Sequence, residues 1–283
     1  GKGNDMTAME GGKTNEKQRK RIYTALLCTC FLFSTASVPV SAAETEQEEM
    51  TTLSNRSGEA EVSTAADLTS ALGDSNISKI TLEQDIPISD TLTVNRAVTL
   101  DLNGNVLKMT GRGSVIKVES GGNLTIADSN TSTPHNFYPD YKDSAWHIDM
   151  WKLDDSGSET VSGGVITGGS SDYAHNDGGG VLVNAGGTLT MTGGSIVGCS
   201  AIGLGGGVRL AYDSAIGKNS TFTMTGGSII GCAAKNGGGV SISPGCTFTM
   251  VPALRSATAT HNPGVVVWTS APCGIQISSA ALS

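Results

Sequence analysis

The sequence predicts an all-β chain wound into a parallel β-helix, and three observations carry that expectation. First, "TLTMTGGSIVGC" at Thr188–Cys199 returns as "TFTMTGGSIIGC" at Thr221–Cys232, 33 residues on, with ten of twelve letters identical. The two exchanges, Leu189/Phe222 and Val197/Ile230, are apolar for apolar. Second, from Lys79 onward the apolar residues recur with a period of two, the period of a half-buried strand. Third, aligned copies place like residues in columns, as expected of short strands that are too small to bury a core alone and must stack.

The chain begins with a segment of different character. Lys17, Arg19, Lys20 and Arg21 precede an apolar run from Ile22 to Val38, and small residues follow at Ser41 and Ala43 or at Val40 and Ala42. This reads as a secretory signal peptide over 1–43, with a start at Met6 or Met9, and its apolar run is short for a membrane span. Its removal turns a net charge of −8 into 12 basic against 23 acidic residues, or −11. An acidic chain of this kind argues against nucleic acid or anionic lipid as a partner. No transmembrane segment is expected in the mature chain.

Residues 44–62 are acidic and polar and read as a flexible leader. In "STAADLTSALG", Thr64 and Asp67 form a capping box, Ala65, Leu68, Ala71 and Leu72 share one face, and Gly73 ends the helix. The solenoid is expected over 63–250. Strand runs "KITLEQDIPI", "TLTV", "AVTLDLNGNVLKM", "SVIKV" and "NLTIA" alternate with Asn-Arg, Asn-Gly and Gly-Gly breaks. After Gly163 the pattern becomes a cycle of a "GGGV" strand, a "TxTM" strand and a "GGSI" strand ending in Gly-Cys.

The inward columns are expected to be Ile116/Val181/Val208/Val240, Val118/Val183/Leu210/Ile242, Leu124/Leu189/Phe222/Phe248 and Ile126/Met191/Met224/Met250. The first copy is interrupted by an insertion over about 129–162, between its second and third strands. Beyond Met250 the triple glycines stop, and 251–283 reads as a degenerate last coil, a cap or a truncated end.

The "GGGVxV" cycle with "GGTLTMTGGSI", the "VTLDLNG" segment and the "ADLTSAL" helix resemble the right-handed parallel β-helix proteins of the pectate-lyase-like superfamily, above all Gly-rich secreted and surface repeat proteins of gut bacteria. The resemblance implies a right-handed coil, a short N-terminal capping helix and a secreted or cell-surface location. Enzymes of that superfamily cluster aspartates for Ca²⁺ with an Arg or Lys base, or several carboxylates with a His. The matching outward column here reads Lys117, Leu182, Arg209, Ser241, without a carboxylate, so no catalytic residue and no cofactor carries over.

The insertion concentrates Phe137, Tyr138, Tyr141, Trp146 and Trp151, five of the chain's 13 aromatic residues. Carboxylates accompany them at Asp140, Asp143, Asp149, Asp154 and Asp155, with His135 and His147. Rings beside carboxylates suit stacking and hydrogen bonding to sugars, and long insertions on rigid scaffolds commonly carry function. The competing reading is that the rings fold the excursion back onto the coil and bury themselves. Tyr138, Tyr141, Trp146, Trp151 and Asp149 are the candidate ligand-binding residues.

Asp172, His175 and Asp177 in "DYAHND" are weak candidates for a cation site, against the plainer reading of a polar loop. The outward threonines Thr125/Thr190/Thr223/Thr249 form a column, either a solvated β face or an array of the kind seen on ice-binding solenoids. Of the six cysteines, Cys199, Cys232, Cys246 and Cys273 lie beyond the signal segment. Cys199 and Cys232 occupy equivalent positions and are expected to form a stacked inward pair, bridged or reduced. The expected function is an adhesin-like scaffold binding an extracellular glycan or a host or cell-surface protein through the insertion. The alternative is a polysaccharide lyase or glycoside hydrolase of the same fold.

Overall fold

A computed structural model describes residues 58–142, 149–171, 178–213, 215, 217–250 and 275–278, with backbone alone at 140–142, 149 and 275–278. All of them fall within the unit spanning Thr52–Ser283. Three parallel sheets run along a parallel β-helix. The first holds β1 (Glu59–Val62), β2 (Lys79–Leu82), β5 (Ala97–Asp101), β8 (Asn123–Ala127), β15 (Thr188–Met191), β19 (Thr221–Met224) and β23 (Thr247–Met250), in that spatial order. A final strand, β24 (Ile275–Ser278), joins β23 antiparallel.

The second sheet stacks β3 (Ile86–Ile88), β6 (Val106–Met109), β12 (Val165–Thr167), β16 (Ser195–Val197) and β20 (Ser228–Ile230). The third stacks β4 (Leu92–Val94), β7 (Ile116–Val118), β14 (Val181–Val183), β18 (Val208–Leu210) and β22 (Val240–Ile242). A narrow corner sheet of β13 (Ser170–Ser171), β17 (Ser200–Leu204) and β21 (Ala233–Asn236) links the second to the third.

Pairing between coils is in register. Leu124, Leu189, Phe222 and Phe248 are successive Cα partners, as are Ile126, Met191, Met224 and Met250. On the third sheet Ile116, Val181, Val208 and Val240 line up, with Leu92 beneath them. Leu124, Leu189 and Phe222 have no solvent exposure, and the rings of Phe222 and Phe248 stack with centroids 4.8 Å apart. The columns expected from the repeat are therefore the core. Outside them, Thr99, Thr125, Thr190, Thr223 and Thr249 form one continuous, half-buried ladder.

The N-terminal end is closed by α1 (Ala65–Gly73). Thr64 Oγ1 accepts the Asp67 N–H at 3.1 Å, and Leu68, Ala71 and Leu72 are buried on the first coil. Arg96, from the turn between β4 and β5, donates to the carbonyls of Ala71 (2.7 Å), Leu72 (3.0 Å) and Ile77. One guanidinium thus satisfies acceptors that a helix end leaves open. The structure departs from expectation at Glu59–Val62. This end of the expected leader is β1, paired with Lys79–Leu82, because Val62 turns inward and is buried while the charges of Glu59 and Glu61 turn out.

Truncating a column residue leaves a cavity that the ladder cannot close. Phe222→Ala is expected to cost about 3–5 kcal/mol, whereas Thr223→Ala, one residue along on the outer face, stays within about 0.5 kcal/mol. Thermal melting of the two variants side by side checks this.

Candidate functional site

The insertion leaves the coil after β8 and returns at β12. Two carboxylates hold its neck. Asp128 accepts the Gly104 N–H at Oδ1 and the Gly164 N–H at Oδ2, each at 2.8 Å, tying the turn between β5 and β6 to the returning strand. Asp101 accepts the N–H groups of Ser129 (2.9 Å) and Asn103 (3.1 Å), and its other oxygen lies 3.3 Å from Lys79 Nζ. Burial pushes the Asp101 carboxyl up, but the two backbone donors and Lys79 outweigh it, and the group sits below its ordinary value. His135 adds a ring-nitrogen contact to the Gly104 carbonyl at 2.9 Å.

Beyond the neck the insertion forms its own antiparallel sheet of β9 (Pro134–Lys142), β10 (Asp149–Leu153) and β11 (Glu159–Ser162), with β9 in the centre. This sheet lies on the outer side of the second sheet of the coil. Phe137 is fully buried with Val106, Val161, Val165 and Val197, and Trp151, Leu153 and Ile230 pack at the margin. The Phe137 and Trp151 rings are tilted at 39° with centroids 6.3 Å apart. An outer face that is normally polar is apolar here because it is covered.

The repeated Gly-Cys motif takes part in this docking. The Trp151 N–H donates to the Gly231 carbonyl at 2.9 Å. A Cβ on Gly231 would fall 2.2 Å from the Trp151 ring, and one on Gly198 would fall 1.9 Å from the Trp151 carbonyl oxygen. Both glycines have positive φ, +58° and +60°, so the same residues turn the corner of the coil and leave room for β10.

Where β10 meets the coil a cleft of about 200 Å³ remains, lined by Lys108, Met150, Trp151, Lys152, Leu153, Thr167, Gly168 and Gly198. Of the candidate ligand residues, Trp151 is half-buried, with one side in the apolar cluster and another on this cleft. Tyr138 is 54% exposed on β9. Tyr141 lies on β9 opposite Met150, and Asp149 pairs with Lys142; the side chains of Tyr141 and Asp149 fall outside the described residues. Trp146 falls outside them altogether, as do Asp172, His175 and Asp177. Among the described residues no group of three or more His, Cys, Asp or Glu side chains gathers that could hold a metal ion.

Sequence reasoning missed the apolar face of the coil on which the insertion docks. The signal was present: Val106, Val165 and Val197 put apolar residues where an open outer face would carry polar ones. It also missed Glu119, which pairs with Lys117 at 2.8 Å and accepts from the Asn184 amide at 2.6 Å. Burial raises that carboxyl, and the Lys117 and Asn184 contacts more than reverse the effect, so it too lies below its ordinary value.

Cys199 and Cys232 sit at the same level of successive coils, and both are free thiols. Cys199 is buried and Cys232 half-buried, each facing a carbonyl of the preceding coil, Ile166 at 4.0 Å and Ile196 at 3.6 Å. The neighbouring Cys232 and burial hold the Cys199 thiol well above its ordinary range, which keeps it protonated at neutral pH.

A family model described as a pectate lyase-like adhesive domain matches residues 59–162. The match begins at β1 and ends with β11, so it takes in the first coils and the insertion together. It supports the pectate-lyase-like superfamily. No curated protein and no solved structure matches the chain.

Two outcomes test this geometry. Gly198→Ala and Gly231→Ala should each cost about 1–3 kcal/mol of docking through overpacking, seen as at least an about fivefold loss of hydrogen-exchange protection in β10. Gly121→Ala shares the positive φ but would meet no atom within 4 Å, and should leave β10 unchanged. For Asp101, a lowered carboxyl stabilises fully above its unfolded value of about 3.9, and the contribution is lost as pH falls through the lower folded value. Asp101→Asn should lower the melting temperature at pH 7 and flatten its decline below about pH 4, measured by melts across that range.

Proposed function

We propose that the chain is an adhesin-like scaffold, secreted or on the cell surface, that binds an extracellular partner through its aromatic and acidic insertion. The match to an adhesive domain supports the adhesin-like scaffold and an extracellular setting. The observation that carries the rest is the docked insertion. Phe137 and Trp151 anchor it to the coil, while Tyr138 stays exposed and an open cleft remains beside Trp151. The two readings of the aromatic residues therefore divide the rings between them. Phe137 serves the fold, Tyr138 serves the surface, and Trp151 serves both.

Of the two partner classes, a glycan fits better than a host or cell-surface protein. The cleft is smaller than the roughly 300 Å³ at which pockets enclose drug-sized ligands, and the exposed Tyr138 on the insertion offers a flat face to a sugar ring. Tyr141, Trp146 and Asp149 are further candidate contacts on the grounds of the sequence. Among the described residues no helix is long and apolar enough to cross a membrane.

A glycan array with the mature chain tests this reading. Tyr138→Ala should weaken the strongest glycan signals about fivefold to tenfold, the loss of one aromatic contact, without changing the melting temperature. A blank array with folded protein overturns glycan binding. Release of reducing ends from a bound glycan would return the lyase or hydrolase reading in its place.

A further inference from the structure

The two Gly-Cys corners put a pair of thiols beside the seat of the insertion. Gly198 and Gly231 border β10: the Trp151 N–H donates to the Gly231 carbonyl, and a Cβ on Gly198 would strike the Trp151 carbonyl. Cys199 and Cys232, the next residue in each case, pack into the main core of the coil. Their corners are stacked in register. Val197 pairs with Ile230 before them, Ser200 with Ala233 after them, and the Ala233 N–H donates to the Cys199 carbonyl at 2.9 Å. Stacked parallel positions lie about 4.8 Å apart at Cα, within the roughly 4.4–6.8 Å that a disulfide spans. Each free thiol faces the carbonyl two residues back, Val197 at 3.7 Å and Ile230 at 3.5 Å, so the two side chains repeat one another coil on coil.

We propose that Cys199 and Cys232 close to an inter-coil disulfide when the chain meets a small-molecule disulfide, and that this bond fastens the corner on which the insertion is seated. The inference is independent of what the insertion binds. Cys232 is the half-buried thiol of the two and takes the first step. Its thiolate attacks one sulfur of the small disulfide, forming a mixed disulfide and releasing one small thiolate. The Cys199 thiolate then attacks the Cys232 sulfur, the protein disulfide forms, and the second small thiolate leaves. The protons given up by the two cysteines end on the two small thiols. The chain is oxidised by two electrons and the small disulfide is reduced by two. The neighbouring Cys232 and burial hold the Cys199 thiol well up, so closure takes minutes to hours. The extracellular setting that the adhesive-domain match supports is one in which such a bond persists. Once made, it joins the coil carrying Gly198 to the coil carrying Gly231, the two that β10 spans. Lifting β10 from its seat by parting those coils then works against a covalent link.

The test treats the full chain with oxidised glutathione under native conditions and maps its peptides without prior reduction. A Cys199–Cys232 cross-link that dithiothreitol reverses is expected. In the oxidised chain the Trp151 amide, which is bonded to the Gly231 carbonyl, should exchange its hydrogen about threefold or more slowly than in the reduced chain. Cys232→Ala should abolish both the cross-link and the response of Trp151 to glutathione, which separates this pair from the other cysteines of the chain. No cross-link after overnight treatment, or glutathione held on Cys232 without closure, overturns the proposal. A cross-link that leaves Trp151 exchange unchanged or faster overturns it as well. The comparison of oxidised with reduced parent decides these outcomes even where the alanine variant fails to fold, and none of them bears on glycan binding.

Discussion

In-register stacking of one coil on the next is the constraint from which the rest of the structure follows. A strand of three to five residues buries nothing useful by itself. It becomes stable when its inward side chain sits on the same residue type one coil below and its backbone continues the ladder. Hence Leu189, Phe222 and Phe248 follow one another in a single column, and Phe222 meets Phe248 face to face. The same rule makes the first coil a special case, since it has no coil beneath it. There α1 supplies the missing apolar surface through Leu68, Ala71 and Leu72, and Arg96 collects the carbonyls at the end of the helix.

A repeating ladder is also why so much of the fold could be read from the letters. Period-two alternation fixes which side chains point inward, and an exact repeat fixes the register, so the columns expected from Ile116 to Met250 are the columns observed. What lacked a repeat was harder. Residues 59–62 carry two glutamates, Glu59 and Glu61, and look like more of the acidic leader until Val62 is seen to begin the ladder. The neck of the insertion depends on Asp101 and Asp128 accepting backbone N–H groups about 20 to 40 positions away, and no local pattern announces such partners.

The aromatic residues show the limit of composition as a guide to function. A cluster of rings in an insertion is equally compatible with a binding surface and with a small second core. The structure builds a core at Phe137 and Trp151 and leaves Tyr138 outside it, a division that the sequence encodes only indirectly. The indirect sign lies on the coil, where Val106, Val165 and Val197 form an apolar stripe on a face that the alternation assigns to solvent. Such a stripe has to be covered, and the insertion is what covers it.

That cover has a further consequence for binding. Burying a side chain the size of Phe137 contributes about 1.5–3 kcal/mol, equivalent to roughly a tenfold to hundredfold preference for the docked state over a lifted one. The neck hydrogen bonds from Gly104, Gly164 and Ser129 add to the same side. Under the proposed function, a partner that met the insertion would find Tyr138, Trp151 and the cleft already in place, and little of its binding free energy would be spent on ordering them. The repeated "GGSIVGC" and "GGSIIGC" segments take part in that preorganisation as well as in the coil. Gly198 and Gly231 turn the corner and give β10 its seat, so the coil corner and the docking of the insertion are specified by the same two glycines.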